Sequence, residues 1–463
     1  MVPTWRLRAA FARRLSDMYG TEVPAYTTLL DVAGQVNDEV LRRDADAERL
    51  GSIDRITAER HGAIRVGTPR EMRRAAQIFA ALGMHPVGFY DLRDASSSAV
   101  PVVSTAFRPV DAEELARNPF RVFTSLLTPA DRRFFDADRQ ARLEAFLARR
   151  ELFPPELIEL ARRAEREGGL PEEPAERFLG LAVAAFELSP EPVDRAWYAE
   201  LERISAVAAD IGGVSSTHVN HLTPRVLDID RLYALMEERG IAMIDRIQGP
   251  PRWDGPEVLL RQTSFRALAE PRRFREPDGS LRTASLRVRF GEVEARGVAL
   301  TRTGRALYDE LVAETDRRLA EHPGATAQQV ARGLWEARFP RDEGRLAADR
   351  LAFFTYHPVV DRPRDGRRPP TDRAALLADG WLTARPVVYE DFLPRSAAGI
   401  FQSNLTDEGT RDGTQTATPY DERWLAEAIE RTVHDPFELY AAQQDSSLRA
   451  AHRALGLRPP ADD

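Results

Sequence analysis

Alternating and helical patterns of apolar residues divide the first part of the chain into short, distinct segments. A strand is predicted at about 54–66, a helix at about 69–83 and a second strand at about 85–92. Two more alternating runs, AVPVVSTAFRPV and NPFRVFTSLL, follow and predict two further strands. Residues 51–128 are therefore expected to form a β-α-β-β-β unit.

The same order of patterns returns in residues 214–302. The run HVNHLTP predicts a strand, and a helix is predicted after it with Asp228 as its N-cap and Gly240 as its stop. The runs IAMIDRI, EVLLRQTSFRAL and SLRVRFGEVEARGVAL then predict three strands. This segment is expected to form a second β-α-β-β-β unit.

The two units share a sequence signature as well as an order of elements. In each, a histidine precedes an arginine by four residues: His61 and Arg65 in the first unit, His221 and Arg225 in the second. This indicates an internal repeat. We predict an α+β protein in which paired β-α-β-β-β modules face each other around a cavity.

Three other segments lie outside these units. Residues 1–50 carry apolar side chains at helical spacing and predict a docked helical segment rather than a transit peptide. Residues 129–213 have apolar positions three and four apart and predict a helical insertion. Residues 303–463 are mixed, with a loop-rich stretch at RDGRRPPTDR and a less regular apolar stretch at YEDFLPRSAAGIFQSNL. The helices predicted in this last segment lie at about 304–320, 326–337 and 422–431.

The absence of two residue types, Cys and Lys, excludes several kinds of catalytic chemistry. The chain has no Cys, which excludes disulfides, thiolate nucleophiles and Cys-ligated metals. It also has no Lys, since all 65 basic residues are Arg, which excludes Schiff-base chemistry and a P-loop lysine. The net charge of −8 does not favour nucleic acid, and no apolar run approaches the length of a membrane span. The groups that remain available for catalysis are His, carboxylates, hydroxyls, Arg and a metal.

The two matching histidines suggest a metal site. His61 and His221 begin the two predicted sheets, and Glu292 and Glu294 lie on one face of a later strand. An exposed strand edge with alternating charge is the simpler explanation of that glutamate pair. If Glu292 meets the two histidines, however, the set matches the two-His, one-carboxylate triad of non-haem Fe(II) oxygenases. His218, three residues before His221, is expected to point away from such a site.

Arg65 is the candidate for binding a substrate carboxylate. On a strand it shares a face with His61, about 13 Å further along. A guanidinium can present two N–H donors to one carboxylate. A 2-oxo acid that chelates the metal at one end and carries a second carboxylate at the other would fit this span.

These residues lie in segments that resemble the 2-oxoadipate dioxygenase/decarboxylases of the vicinal oxygen chelate superfamily. The resembling segments are RHGAIRVGT, NPFRVFTSLL, VNHLTPRVLDID, LLRQTSF, FGEVEARGVALT and SAAGIFQSNL. The resemblance implies a cytoplasmic Fe(2+) enzyme of lysine catabolism. Such an enzyme converts 2-oxoadipate and O₂ into (R)-2-hydroxyglutarate and CO₂, and needs no nucleic-acid or membrane partner.

The resemblance also implies residue roles. His61, His221 and one glutamate of FGEVEARG would be the metal ligands. Glu292 is preferred because hydroxyphenylpyruvate dioxygenases carry their ligand at the first position of a similar run, and Glu294 is the alternative. Arg65 matches the family's substrate-carboxylate arginine. Arg395 falls in a substrate-contacting loop at 393–405, where a small apolar residue is expected, so its presence could alter the preferred substrate.

Two other functions suit the same fold. One is a Zn or Ni lyase or isomerase, which metal content and O₂ consumption would distinguish from the dioxygenase. The other is a non-catalytic protein that binds a small molecule in the cavity, for which a substitution of His221 would leave ligand binding intact.

Overall fold

The computed structural model describes residues 1–44, 46–94, 100–322, 324–359, 366, 368–404 and 411–458. A few predicted positions lie outside these ranges. They are Ala99 in the run AVPVVSTAFRPV, residues 364, 365 and 367 of the loop-rich stretch, Leu405, and the end of the last segment from residue 459.

Helices dominate the part of the chain that precedes the second unit, and its strands are short. A 3₁₀ helix also spans Ala47–Leu50. The elements are, in chain order, β1 (Val2–Pro3), α1 (Thr4–Glu22), α2 (Pro24–Arg43), α3 (Ile53–Ala58), β2 (Arg60–Val66), α4 (Pro69–Ala81), β3 (His85–Asp91), β4 (Val102–Arg108), α5 (Ala112–Arg117), β5 (Arg121–Leu127), α6 (Ala137–Arg149), α7 (Pro155–Glu167), β6 (Gly169–Leu170), α8 (Glu172–Ala184), β7 (Val193–Asp194), α9 (Arg195–Glu202) and α10 (Ala206–Gly213).

The rest of the chain adds strands first and helices afterwards. Its elements are β8 (His221–Pro224), α11 (Ile229–Glu238), β9 (Leu260–Ser264), β10 (Glu270–Arg275), β11 (Leu281–Leu286), β12 (Glu292–Arg296), α12 (Arg302–Glu321), α13 (Ala327–Arg338), α14 (Glu343–Ala348), β13 (Phe354–Pro358), α15 (Arg373–Ala378), β14 (Leu382–Pro386), α16 (Pro394–Asn404), α17 (Glu422–Ile429) and α18 (Pro436–Ala454). The fold is α+β, as predicted.

One sheet joins the two halves of the chain. Its strand order is β3-β4-β5-β2-β8, so the first strands of the two predicted units are antiparallel neighbours. A separate pair, β12 and β9, is connected to this sheet by an isolated bridge between Arg225 and Glu294. This arrangement brings β2, β8 and β12 close together.

The first unit follows the predicted order, with two differences. The first strand begins only at Arg60, because 53–58 is helical and Ser52 caps that helix through the backbone N–H of Arg55. A short helix, α5, also interrupts the connection between the last two strands. His61 and Arg65 still lie in β2 despite these differences.

The second unit differs more. The Asp228 side chain caps α11 as predicted, and Gly240 follows the helix with a φ of 76°. However, the run IAMIDRI is not a strand, and within it Met243 forms an isolated bridge to Phe265, just after β9. The last predicted strand, residues 285–300, was also wrong as one element, because its first two residues end β11 whereas Glu292–Arg296 form β12, which pairs in a different sheet.

The N-terminal and insertion segments are mainly helical, with three two-residue strands. Phe11, Leu15 and Tyr19 of α1 are buried in an apolar cluster with residues of α2, α4 and α8. The Tyr19 hydroxyl donates to the carbonyls of Asn220, 3.0 Å away, and Phe290, 2.7 Å away. The N-terminal helix therefore fixes the backbone just before both β8 and β12.

The predicted irregular, substrate-contacting loop at 393–405 needs correction, since its described part is largely the helix α16. Pro394 suits a first helical position, whereas the Ser, Gly and Asn residues lowered the expectation of helix from sequence. Asn404 at its end donates to the Ser264 hydroxyl of β9 at 2.7 Å. Elsewhere, α18 was not predicted. No helix in the described ranges is long and apolar enough to cross a membrane.

Buried ion pairs tie distant segments together near β2. Glu59 is fully buried and accepts from Arg121 at 2.5 Å and Arg225 at 2.9 Å. Burial alone would raise the pKa of Glu59, but the neighbouring arginines outweigh it and hold that pKa well below its usual range. Arg121 also binds Glu390 from the C-terminal part of the chain.

We expect Glu59→Gln to destabilise the protein strongly, because it leaves two buried guanidinium groups without their shared carboxylate. Breaking a buried ion pair costs about 3–5 kcal/mol of unfolding free energy. Urea denaturation would measure this loss. Glu156→Gln is the matched control, since Glu156 pairs with Arg177 in an exposed position and such pairs contribute little. Equal effects of the two substitutions would contradict the prediction.

Candidate metal centre

His61, His221 and Glu292 come together at the junction of three strands. His61 lies near the start of β2, His221 is the first residue of β8, and Glu292 is the first residue of β12. Their exposed fractions are 1%, 4% and 2%. One ligand atom from each lies within 4.8 Å of the others, so the cluster could bind a metal ion.

The possible metal-ligand atoms of the three side chains lie close to one another. His61 Nε2 lies 3.8 Å from Glu292 Oε1, and His221 Nδ1 lies 3.3 Å from Glu292 Oε2. The two imidazole rings are 5.5 Å apart and nearly perpendicular, at 88°. Phe290 stacks on His221 at 5.0 Å, and the edge of Phe392 meets His61 at 4.9 Å. These aromatic contacts restrict the rotation of both imidazoles.

The electrostatics of the cluster suit a cation. Burial lowers the pKa of both imidazoles, and the positive charge of Arg65 lowers that of His221 further, so both rings are neutral at neutral pH with lone pairs to share. Burial, and next the charge of Glu294, raises the pKa of Glu292 well above its usual range. No Arg within the described ranges pairs with Glu292. A bound cation would supply the missing positive charge.

Glu294 has a different environment from Glu292. Arg296 Nε donates to Glu294 Oε1 and Arg296 Nη2 donates to Glu294 Oε2, each at 2.8 Å. Glu294 Oε2 also lies 2.9 Å from His61 Nδ1. Burial alone would raise the pKa of Glu294, but Arg296, His61 and Arg121 lower it to about 2. Glu294 is thus a permanent anion that orients His61, as carboxylates behind metal-ligating histidines do. This supports Glu292 as the ligand of the two.

The structure adds supporting residues that the sequence did not single out. Gln262 donates its amide to Glu292 Oε1, and Thr223 Oγ1 lies 3.0 Å from His221 Nδ1. Gln262 and Ser264 share one face of β9 opposite Glu294 and Glu292. The run of four polar residues in LLRQTSF was the available signal for this strand, but it does not reveal which strand lies opposite.

Arg65 is buried beside the cluster rather than part of it. It is 4% exposed and donates through Nη1 to Asp210, which lies in α10 of the helical insertion and is 2% exposed. His218 lies outside the cluster, as expected, with Nε2 at 3.3 Å from Asp210. A substrate contact by Arg65 stays a prediction.

Arg395 is not gathered into the cluster. Its side chain is 58% exposed and pairs with Asp316 of α12 at 2.6 Å. The buried residues of α16 include Ser396 and Ile400 instead. Direct contact between Arg395 and a substrate stays a prediction, and this outward position gives it no support.

The fold and the site together define an α+β protein with a buried His-His-Glu cluster able to bind a metal. Comparison with known proteins then specifies the group. The family model for 2-oxoadipate dioxygenase/decarboxylase matches residues 11–404. The chain belongs to that family.

Individual relatives agree along nearly the whole length. A 2-oxoadipate dioxygenase/decarboxylase of Mycobacterium bovis is 56% identical over 95% of this chain and 96% of its own. The Pseudomonas putida protein of that name is 40% identical, covering 97% of each chain. The crystal structure of the hydroxyglutarate synthase in complex with 2-oxoadipate from Pseudomonas putida superposes with a TM-score of 0.84, at 37% identity, covering 99% of each chain.

We expect His61→Ala, His221→Ala and Glu292→Ala each to abolish stable metal binding, because two remaining ligands rarely hold a divalent metal ion against water. Glu294→Gln should weaken metal binding about 10- to 100-fold, as loss of a supporting carboxylate does. Metal content after dialysis would measure both effects.

His218→Ala is the control and should retain the metal, since His218 faces Asp210. Metal retention in Glu292→Ala together with its complete loss in Glu294→Ala would show that the two carboxylates have been assigned the wrong way round.

Proposed function

We propose that this protein is an Fe(II)-dependent dioxygenase that converts 2-oxoadipate and O₂ into (R)-2-hydroxyglutarate and CO₂ in lysine catabolism, in the cytoplasm. The buried cluster of two neutral imidazoles and one carboxylate without an arginine partner carries the proposal. Family membership supports the choice of substrate. The equation balances without a cosubstrate, because both atoms of O₂ appear in the products.

The ligand set supports iron as the metal. His61, His221 and Glu292 provide two nitrogens and one oxygen and leave other coordination positions for a substrate and O₂. When bound there, Fe(II) would supply the redox chemistry that lets O₂ react with the 2-oxo acid. A Zn or Ni centre would favour a lyase or isomerase instead, and no observation on this chain favours that alternative.

The chain's own residues would prepare the reaction. Glu294 and Gln262 orient His61 and Glu292, so the ligand geometry is set before substrate arrives. The aromatic rings of Phe290 and Phe392 keep water away from the imidazoles. Arg65, on the same strand as His61, would bind the second carboxylate of 2-oxoadipate.

We also interpret the two strand-rich segments as related modules. The adjacency of β2 and β8, each followed by a capped helix, supports this interpretation. The irregular stretch at 241–247 and the separate β10–β11 hairpin show how far the second segment departs from the first. The segments do not behave as separate domains, since each of two large apolar clusters draws on several of them.

Anaerobic reconstitution with Fe(II), followed by 2-oxoadipate and O₂, tests the proposal. We expect 2-hydroxyglutarate and CO₂ in equal amounts, with one O₂ consumed for each 2-oxoadipate, measured by mass spectrometry and an oxygen electrode. Zn-loaded protein is the control and should consume no O₂. Turnover without O₂ would favour a lyase, whereas binding without turnover in the Fe(II)-loaded protein would favour a non-catalytic binding protein.

Arg65→Lys should weaken 2-oxoadipate binding by about 1.5–3 kcal/mol, because Lys keeps the charge but loses the two-pronged hydrogen bond. Iron content should not change, since Arg65 is not a ligand. The monocarboxylate 2-oxohexanoate is the matched substrate, and its affinity should fall little. Equal losses for both compounds would show that Arg65 does not bind the second carboxylate.

A further inference from the structure

We infer that Asp210, supplied by the helical insertion, is a positioning residue that fixes Arg65 for the second carboxylate of a 2-oxo dicarboxylate. This inference rests on the proposed function, in which Arg65 binds that carboxylate. It gives the insertion at 129–213 a role in substrate selection as well as in packing.

Asp210 contacts three other side chains, and two of them donate to its Oδ2. Its Oδ2 accepts from Arg65 Nη1 and from Asn220 Nδ2, the latter at 3.0 Å. Its Oδ1 lies 3.3 Å from His218 Nε2, and Asn220 Nδ2 lies 3.2 Å from that same nitrogen. All four residues are buried. Asp210 is therefore held by several groups and cannot easily follow a moving arginine.

Charge explains why Arg65 needs this partner. A carboxylate partner stabilises a buried guanidinium, and Asp210 supplies one to Arg65. His218 cannot replace Asp210 as a counter-charge, because an imidazole is either neutral or positively charged. Asp210 is thus the anion that keeps Arg65 beside the cluster.

The position of Asp210 in the chain makes this role specific. It lies in α10, the last helix before the run that leads into β8, while Arg65 lies in β2. The Thr217 hydroxyl also donates to the Arg65 carbonyl at 2.8 Å, so the backbone of Arg65 is fixed from the same side. Both the backbone and the guanidinium of Arg65 are thereby set by residues 210–217, immediately outside the strand that carries His221.

Equilibrium binding to the Fe(II)-loaded protein without O₂ tests the inference separately from turnover. The affinities of 2-oxoadipate and 2-oxohexanoate would be measured in wild type, Asp210→Asn, Arg65→Met and the double variant. We expect Asp210→Asn to reduce the preference for 2-oxoadipate about tenfold, with 2-oxohexanoate changed less than about twofold. In the Arg65→Met background, Asp210→Asn should cause no further loss of preference, because the two residues act as one unit.

Asn220→Ala is a second variant, for use if Asp210→Asn fails to fold. It keeps the charge of Asp210 but removes one of its donors, and should lower the preference in the same direction by a smaller factor. An unchanged preference in both variants would overturn the inference and leave Asp210 with a structural role only. A higher preference in Asp210→Asn would also overturn it, since Asp210 would then compete with the substrate. Failure of wild type to turn over 2-oxoadipate would instead overturn the proposed function.

Discussion

Glu294 lies between the fork of Arg296 and Nδ1 of His61, and the rest of the centre depends on this contact. Because one imidazole nitrogen faces Glu294, the other faces Glu292. The same carboxylate makes Glu292 harder to ionise, which increases the advantage of placing a cation between Glu292 and the histidines. Two glutamates on one strand face thus take opposite electrostatic roles, one as a permanent anion and the other as a group that needs a positive partner.

This arrangement requires other buried arginines to be fixed as well. Arg296 also donates to the carbonyls of Tyr389 and Asp391, so the group that orients His61 is tied to the C-terminal part of the chain. Asp391 in turn binds Arg108 at 2.8 Å. The stretch 389–392 is held by these contacts, and its last residue, Phe392, packs against His61. A segment far from the ligands in sequence therefore closes one side of the centre.

Much of the fold could be predicted from periodicity and capping. The runs of strand-forming residues in β4 and β5, the helical pattern of the insertion and the Asp228 cap are local features, so they could be predicted without knowledge of tertiary contacts. The second unit was less predictable. Gly291 shows one tertiary constraint that periodicity does not reveal, because a Cβ atom there would come within 1.9 Å of the Phe265 ring.

For the candidate site, the sequence by itself determined the available chemistry: a chain without Cys or Lys, two histidines in matching positions, and a glutamate pair two residues apart. It did not determine which glutamate lies close to both histidines, because both glutamates occupy the same face of one strand. Only the tertiary structure decided that, by placing Arg296 and His61 Nδ1 against Glu294 and leaving Glu292 opposite Ser264. Burial and neighbouring charge set the properties of such groups, and the neighbours come from segments that the sequence keeps far apart.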